Sequence, residues 1–233
     1  MEIYKFVDQN YRTRGNTLWE LGVTQSLPPK ENPHTCSPDV FHAYAHLNLG
    51  LLLNMSHARI EEPHILLCNG DPVKRDWDKV GCFVLTPVQE LVHHPNWFYY
   101  PRTACKAAAR FAVACAELAL PSFADPHLVK VLDRTKAFLQ DGTTDTHAAA
   151  MYAMRIAKIE EVRHQFNGLV ASVVAFAAFA AETALLAKQA AWPIGMIPLR
   201  SSALSYAADA AHTLSLLGVP VNLEALADEA CHA

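Results

Sequence analysis

The chain has 233 residues, 52% hydrophobic and 18% charged, with a formal net charge of −4. That is enough apolar chain for one large domain or two small ones, so a chain too polar to fold is excluded. A nucleic-acid binder driven by bulk positive charge is excluded as well. Of the 37 alanines only Ala43, Ala45 and Ala58 precede residue 101. The chain therefore reads as two compositions joined end to end, a small domain over residues 1–101 and an alanine-rich one over residues 102–233.

The first part holds nine of the fourteen prolines, which neither continue helices nor donate into strand ladders. Glu2–Val7 reads as the first strand, and Trp19–Gly22 with Val23–Leu27 as further strands around Gly22. His64–Cys68 and Val80–Leu85 are short apolar runs rich in strand formers. Asn69-Gly70-Asp71-Pro72 marks the turn between them, and a connection longer than two residues is expected, so that Pro72 stays out of the returning strand. Ser37-Pro38-Asp39 offers a cap, a first-turn proline and an acidic residue at the positive end of the dipole. It predicts a helix of about three turns through the following VFHAYAHLNLGLLLNMSHA, weakened at Gly50 and ending before Pro63. The order predicts a small α+β unit with a mostly antiparallel sheet.

Beyond Pro101 the signals are helical. One helix is expected over about Thr103–Leu120 and a second opened by Asp125-Pro126 and closed near Asp141-Gly142. A third runs from Thr143 to about Gln165, a fourth over Leu169–Ala191, and a fifth over Ser201–Leu217 after a Pro193/Gly195/Pro198 loop. Asn222 caps a short last one. Ala104, Ala108, Ala112 and Ala116 recur every four residues, as do Ala203, Ala207 and Ala211. Ala180, Ala184, Ala187 and Ala191 follow a mixed spacing. Such stripes of small side chains let helices approach closely, so a compact bundle of five or six helices is expected. The fold class is α+β.

The six cysteines show no CxxC pair, and MEIYKFVDQN lacks the basic and apolar regions of a secretory signal. Reduced thiols and a cytoplasmic chain are expected. The longest charge-free apolar stretch, Gly168–Ala181, is 14 residues long. That is shorter than the roughly 20 a membrane span needs, which predicts a buried core helix and no membrane association.

Candidate chemistry concentrates on histidines. His42 and His46 would lie one above the other on a helix, in reach of one Zn²⁺, with His57, His64 or Cys36 completing the site. No acidic residue separates the pair, so the HExxH arrangement is absent. The competing reading packs one histidine at the sheet and leaves the other solvated. Zn²⁺ is the one cofactor suggested; no other is expected. Arg12 and Arg14 beside Gly15 are a phosphate or nucleotide candidate, and a pocket lined by them, His57 and His64 is the ligand-binding alternative. No GxGxxG or GxxxxGK[ST] loop accompanies them. Trp97-Phe98-Tyr99-Tyr100 after His93-His94 reads either as a stacking platform or as packing. Glu160-Glu161-x-Arg163-His164 reads as an acid/base set or as a surface ion-pair row. A cysteine nucleophile at Cys36 or Cys115 has no local signature.

Ala114-Cys115-Ala116-Glu117, then Phe138-Leu139-Gln140-Asp141-Gly142, then Ala148-Ala149-Ala150 run in one order over roughly residues 102–217. In this the chain resembles the alanine-rich, immunity-protein-like helical domain of bacterial genomes. Tyr4-Lys5-Phe6, Trp19-Glu20-Leu21-Gly22 and Cys36 with Val40-Phe41-His42-Ala43 are more faintly similar to an uncharacterised family of small bacterial and phage domains. Tyr44 stands where that family has a second cysteine, and Asp39 where it has glycine. The resemblances imply a bacterial or phage setting and a conflict or defence context, and they carry over no catalytic residue.

Two functions are expected in competition. One is a non-enzymatic, immunity-like factor, monomeric or homodimeric, that acts by binding a protein partner, with nucleic acid not expected. The other is a small enzyme, a metal-assisted hydrolase or nucleotide-directed transferase, with its site between the two parts.

Overall fold

A computed structural model describes residues 1–13, 16–35, 37–58, 63–77, 79–92, 95–123, 125–141, 152, 155, 165–189 and 196–232. The chain is α+β and divides into two compact units, Met1–Pro95 and Asn96–Ala233. The compositional boundary at Pro101 falls inside the second unit, at the start of a helix.

The first unit is an antiparallel sheet of β1 (Glu2–Val7), β2 (Gln25–Ser26), β3 (Phe41–Ala43), β4 (His64–Arg75) and β5 (Val80–Glu90), with one helix, α1 (Leu47–Ala58). β1 pairs with β4, β4 with β5, and β5 with both β2 and β3. Just past β3 the chain returns to β1, where Tyr4 N–H donates to Tyr44 O at 2.7 Å and Tyr44 N–H donates to Tyr4 O at 2.9 Å. That bridge closes β1, β4, β5 and β3 on themselves as a small barrel, with β2 beside β3 on β5. Ile3, Val7, Trp19, Ala43, Leu66, Cys68, Val80, Cys82 and Leu85 form its core.

Two expectations are corrected in this unit. The helix does not begin at Ser37-Pro38-Asp39. Ser37 Oγ donates to His34 O at 2.8 Å, and Asp39 pairs with Lys30 at 2.7 Å, so this segment is a turn. The next residues then enter the sheet, with Phe41 opposite Cys82, His42 opposite Gly81 and Ala43 opposite Val80. The ladder outcompetes a local cap because it satisfies backbone groups and buries Val40 and Ala43 together.

The second correction is the hairpin. Asn69–Pro72 lies within β4 and not in a turn, and the reversal comes where Asp76 N–H donates to Lys79 O at 2.9 Å. Pro72 is accommodated between two register shifts, the bulged setting in which a strand tolerates a residue without an N–H. Of the strands expected over residues 19–27, only Gln25–Ser26 is one; Gly22 turns with φ 77° and Trp19 enters the core.

The second unit contains α2 (Asn96–Tyr99), α3 (Pro101–Ala119), a 3-10 turn at Leu120–Ser122, α4 (Pro126–Asp141), α5 (Gln165–Gln189), α6 (Met196–Leu216) and α7 (Leu223–His232). Asp125 Oδ1 accepts from His127 N–H at 2.6 Å and Asn222 Oδ1 from Ala225 N–H at 3.1 Å, which are the caps expected of both residues. α6 starts earlier than expected and takes Pro198 into its first turn, where the missing N–H would have had no intrahelical partner. The helix expected over Thr143–Gln165 lies almost wholly outside the described residues, as do Pro193 and Gly195.

α3, α5 and α6 pack against one another, α4 packs on α3 and α5, and α7 on α3. Ala104, Ala108, Ala112, Ala116, Ala180, Ala187, Ala203, Ala207 and Ala211 are all fully buried, so the α3 and α6 stripes are packing seams, while on the third stripe Ala184 is half-buried and Ala191 lies outside the described residues. α5 contains Gly168–Ala187, 20 residues with mean hydropathy 2.1, long and apolar enough to cross a membrane. The apolar helix thus exceeds the 14-residue charge-free run, because Glu182 interrupts that run without ending the helix. This segment is 56% buried within the unit, including Val170, Val173 and Val174, in the manner of a core helix.

Candidate functional site

In β1 the residues Ile3, Lys5 and Val7 alternate, and alternate side chains of a strand share a face. Lys5 is therefore carried into the core and is 7% exposed. Its ammonium donates to His42 O at 2.5 Å and lies 4.8 Å from the centre of the Trp19 ring. Burial pushes its pKa down to about 8, against a smaller opposing effect of Cys68 and Cys82. The period-two pattern of the first strand, apolar at residues 3 and 7 around Lys5, carries this signal in the sequence.

His42, opposite Gly81 on β3, is not on a helix with His46. His46 sits at the N-terminus of α1, where its Nδ1 is 3.5 Å from Leu49 N. The stacked i, i+4 geometry invoked for Zn²⁺ is thus not the arrangement of this pair, and no group of three or more His, Cys, Asp or Glu suited to a metal occurs among the described residues. His42 Nε2 is buried without a hydrogen-bond partner among the described residues. Burial, then the positive charges of Lys5 and Lys79, push its pKa down to about 4, against a hydrogen bond to the Ser37 backbone.

A histidine that stays neutral in the fold but protonates when unfolded costs stability as pH falls. The loss begins below about 6.5 and is complete below about 4. Replacing it by leucine is expected to flatten the fall of the melting temperature across that window. The difference should be about 1–2 kcal/mol, less than the full shift because part of the ring faces solvent. An unchanged slope in His42→Leu would show that the ring is not held neutral.

His64 opens β4, and Leu66 is paired with Glu90 near the end of β5. Directly opposed residues share a face, so Glu90 lies on the core side at one end of the barrel. Glu90 Oε1 accepts from His64 Nδ1 at 2.5 Å and Glu90 Oε2 from the Tyr11 hydroxyl at 2.8 Å. The Tyr11 and His64 rings stack with centres 4.3 Å apart. Burial acts to raise the Glu90 pKa, but the bonds from His64 and Tyr11 outweigh it and hold the carboxyl below its ordinary range. The same bond raises the Tyr11 phenol.

Tyr11 has φ 57°, a left-handed conformation that is strained for an aromatic residue. Backbone bonds hold it there, from Tyr11 N–H to Asp8 O and from Trp19 N–H to Tyr11 O, each 2.9 Å. The next residue is Arg12, whose guanidinium donates to Asn16 O at 2.8 Å and closes its own loop. The structure thus brings Arg12 and His64 to one end of the barrel through Tyr11. Arg14 lies outside the described residues, and so does the side chain of His57, which is in α1.

A carboxylate can only accept, so His64 Nδ1 carries the proton of that bond and Nε2 is the ring's remaining acid/base position. This is the orienting half of an acid/base site. No serine, threonine or cysteine bonds to the His64 ring among the described residues. Cys115 is buried with its thiol pushed up to about 12, and Cys68, Cys82 and Cys105 are raised to about 12, 11 and 12 by burial. Such thiols are poor nucleophiles. Cys36, His93, His94 and the Glu160–His164 group lie outside the described residues. Trp97 and Phe98 are buried within the second unit, with Arg200 5.0 Å from the Phe98 ring, and so they pack and do not form an open platform.

Beside this polar end several aliphatic side chains are exposed. Gly22 N–H donates to Pro87 O at 2.8 Å and Ser26 pairs with Val84, so residues 21–27 lie along β5. Leu21, Val23, Val84 and Val88 are 54%, 42%, 48% and 45% exposed. No protein-family model, curated protein or solved structure matches the chain.

Proposed function

We propose that this is a non-enzymatic binding protein of bacterial or phage origin, acting in the cytoplasm on a protein partner as an immunity-like factor, with its first unit as the recognition surface. The observation that carries the reading is Val84 and Val88, exposed on β5, with Leu21 and Val23 also exposed in the segment that runs beside it, each more than 40%. Large aliphatic side chains left exposed on one strand and its neighbouring segment favour a protein interface. The Tyr11–His64–Glu90 cluster supports it by fixing a polar rim: both carboxylate oxygens are engaged within the protein. The bacterial or phage setting rests on the resemblances of the Ala114–Glu117 and Phe138–Gly142 motifs. Among the described residues the cysteines are free thiols, which suits a reducing compartment.

The test is affinity capture from bacterial lysates followed by titration of the purified pair, with the wild type and a Val84→Lys/Val88→Lys variant. Both positions are exposed, so the melting temperature should change little. Saturable binding by the wild type, weakened about tenfold or more in the variant, is the expected result. Failure to retain any partner, together with reproducible turnover of a small substrate, would overturn the reading.

A further inference from the structure

The second unit holds a cleft of about 540 Å³ between α3, α4 and α7. Its volume is in the range of small-molecule sites, about 300–1,000 Å³. Lys106, Arg110, Val113, Ala114 and Glu117 line it from α3, a spacing that puts them on one helical stripe. The floor is aliphatic: Val113 and Ala114 meet Leu139 of α4 and Leu226 and Ala230 of α7. No aromatic side chain lines it among the described residues, so nothing there stacks on a nucleobase.

The charges are arranged unequally. Lys136 is tied to Glu117 at 2.5 Å, which neutralises that pair. The side chains of Lys106 and Arg110, one turn apart on α3, form no ion pair or hydrogen bond with any described residue. Glu229 is the remaining charged residue of the lining, so three cations face two carboxylates and the net charge is positive. Two unpaired cations at i, i+4 can grip one carboxylate or phosphate with charge-assisted bonds, while the aliphatic floor takes an alkyl chain.

We propose that this cleft binds a free single-chain aliphatic amphiphile with an anionic head, the head on Lys106 and Arg110 and the chain on Val113, Leu139 and Leu226. The site is separate from the surface proposed for the protein partner and stands or falls without it.

The test is calorimetric titration of the full chain with sodium decanoate below its micellar concentration, alongside decyltrimethylammonium and 1-decanol. Saturable 1:1 binding of decanoate is expected, with the cationic and uncharged probes about tenfold weaker. Lys106→Gln/Arg110→Gln should weaken decanoate by about tenfold, and Leu139→Trp should block it by filling the floor while leaving both cations in place. Circular dichroism of each variant checks the fold. Absence of saturable binding, equal affinity for decanol, or undiminished binding in the double variant would overturn the proposal. Phosphatidylglycerol vesicles should leave the protein in solution. Adsorption to them that the double variant abolishes would overturn the free ligand in favour of a bilayer surface.

Discussion

Replacing Gly50 by alanine is expected to destabilise the first unit by about 2–3 kcal/mol, although helix propensity alone favours alanine over glycine by about 1 kcal/mol. Gly50 lies inside α1, where propensity counts it only as a weakness. A Cβ at this position would lie 2.6 Å from Phe6 Cε2 and 2.8 Å from Tyr44 Cγ. Those rings are edge-to-face with centres 5.4 Å apart. Phe6 is 4% exposed and Tyr44 6%, so neither ring has solvent to move into. Tyr44 is also the residue whose backbone closes the barrel onto β1, so a shift there strains the bridge. Chemical denaturation measures the effect. Phe6→Leu in the same chain should recover part of the loss, because it makes room for the methyl group. A Gly50→Ala protein as stable as the wild type would show that α1 does not rest on these rings.

The second large effect has the opposite sign. Lys5→Met is expected to stabilise the protein at pH 7 by about 2 kcal/mol, because a buried charge is replaced by an apolar chain of similar length. The lowering of the Lys5 pKa from 10.5 to about 8 corresponds to roughly 3 kcal/mol of disfavour for the charged form. The bond to His42 O and the contact with the Trp19 ring, both lost in the variant, offset part of that. Because the folded pKa is below the unfolded one, the cost is present in full below about pH 8 and is relieved as pH rises toward 10.5. The advantage of Lys5→Met should therefore shrink between pH 8 and pH 10.5. The difference between the two proteins is the quantity to follow. The buried thiols, whose pKa values are raised, make both chains less stable above about pH 9, where the unfolded thiols ionise. A variant no more stable than the wild type at pH 7 would mean that the His42 carbonyl and Trp19 compensate the charge fully.

The helical half was legible in the sequence because its signals are local. Asp125-Pro126 and Asn222 act within one turn of chain, and each stands at the helix end where it was expected. The alanine stripes at Ala104–Ala116 and Ala203–Ala211 also declared which faces would be buried, since a fixed spacing on a helix is a fixed direction. The two-part composition and the α+β class followed from counting alanines and prolines along 233 residues.

What the tertiary structure alone decided lies in the other half. Local capping favoured a helix at Ser37, but the outcome rested on Cys82 and Val80, some forty residues away, which offered the 41–43 segment a strand partner. The same pairing turned His42 into the sheet, moved His46 to a helix terminus and undid the geometry that made them look like metal ligands. Tyr11 and Glu90 are 79 residues apart and meet only because the barrel brings the loop after β1 to the end of β5. The cleft of Lys106 and Arg110 needs three helices to exist, though its α3 stripe is visible in one. Alanine count and helix signals act over a few residues, so the sequence determines them directly. Strand pairing and cluster chemistry depend on which distant segments meet, and only the folded chain settles that.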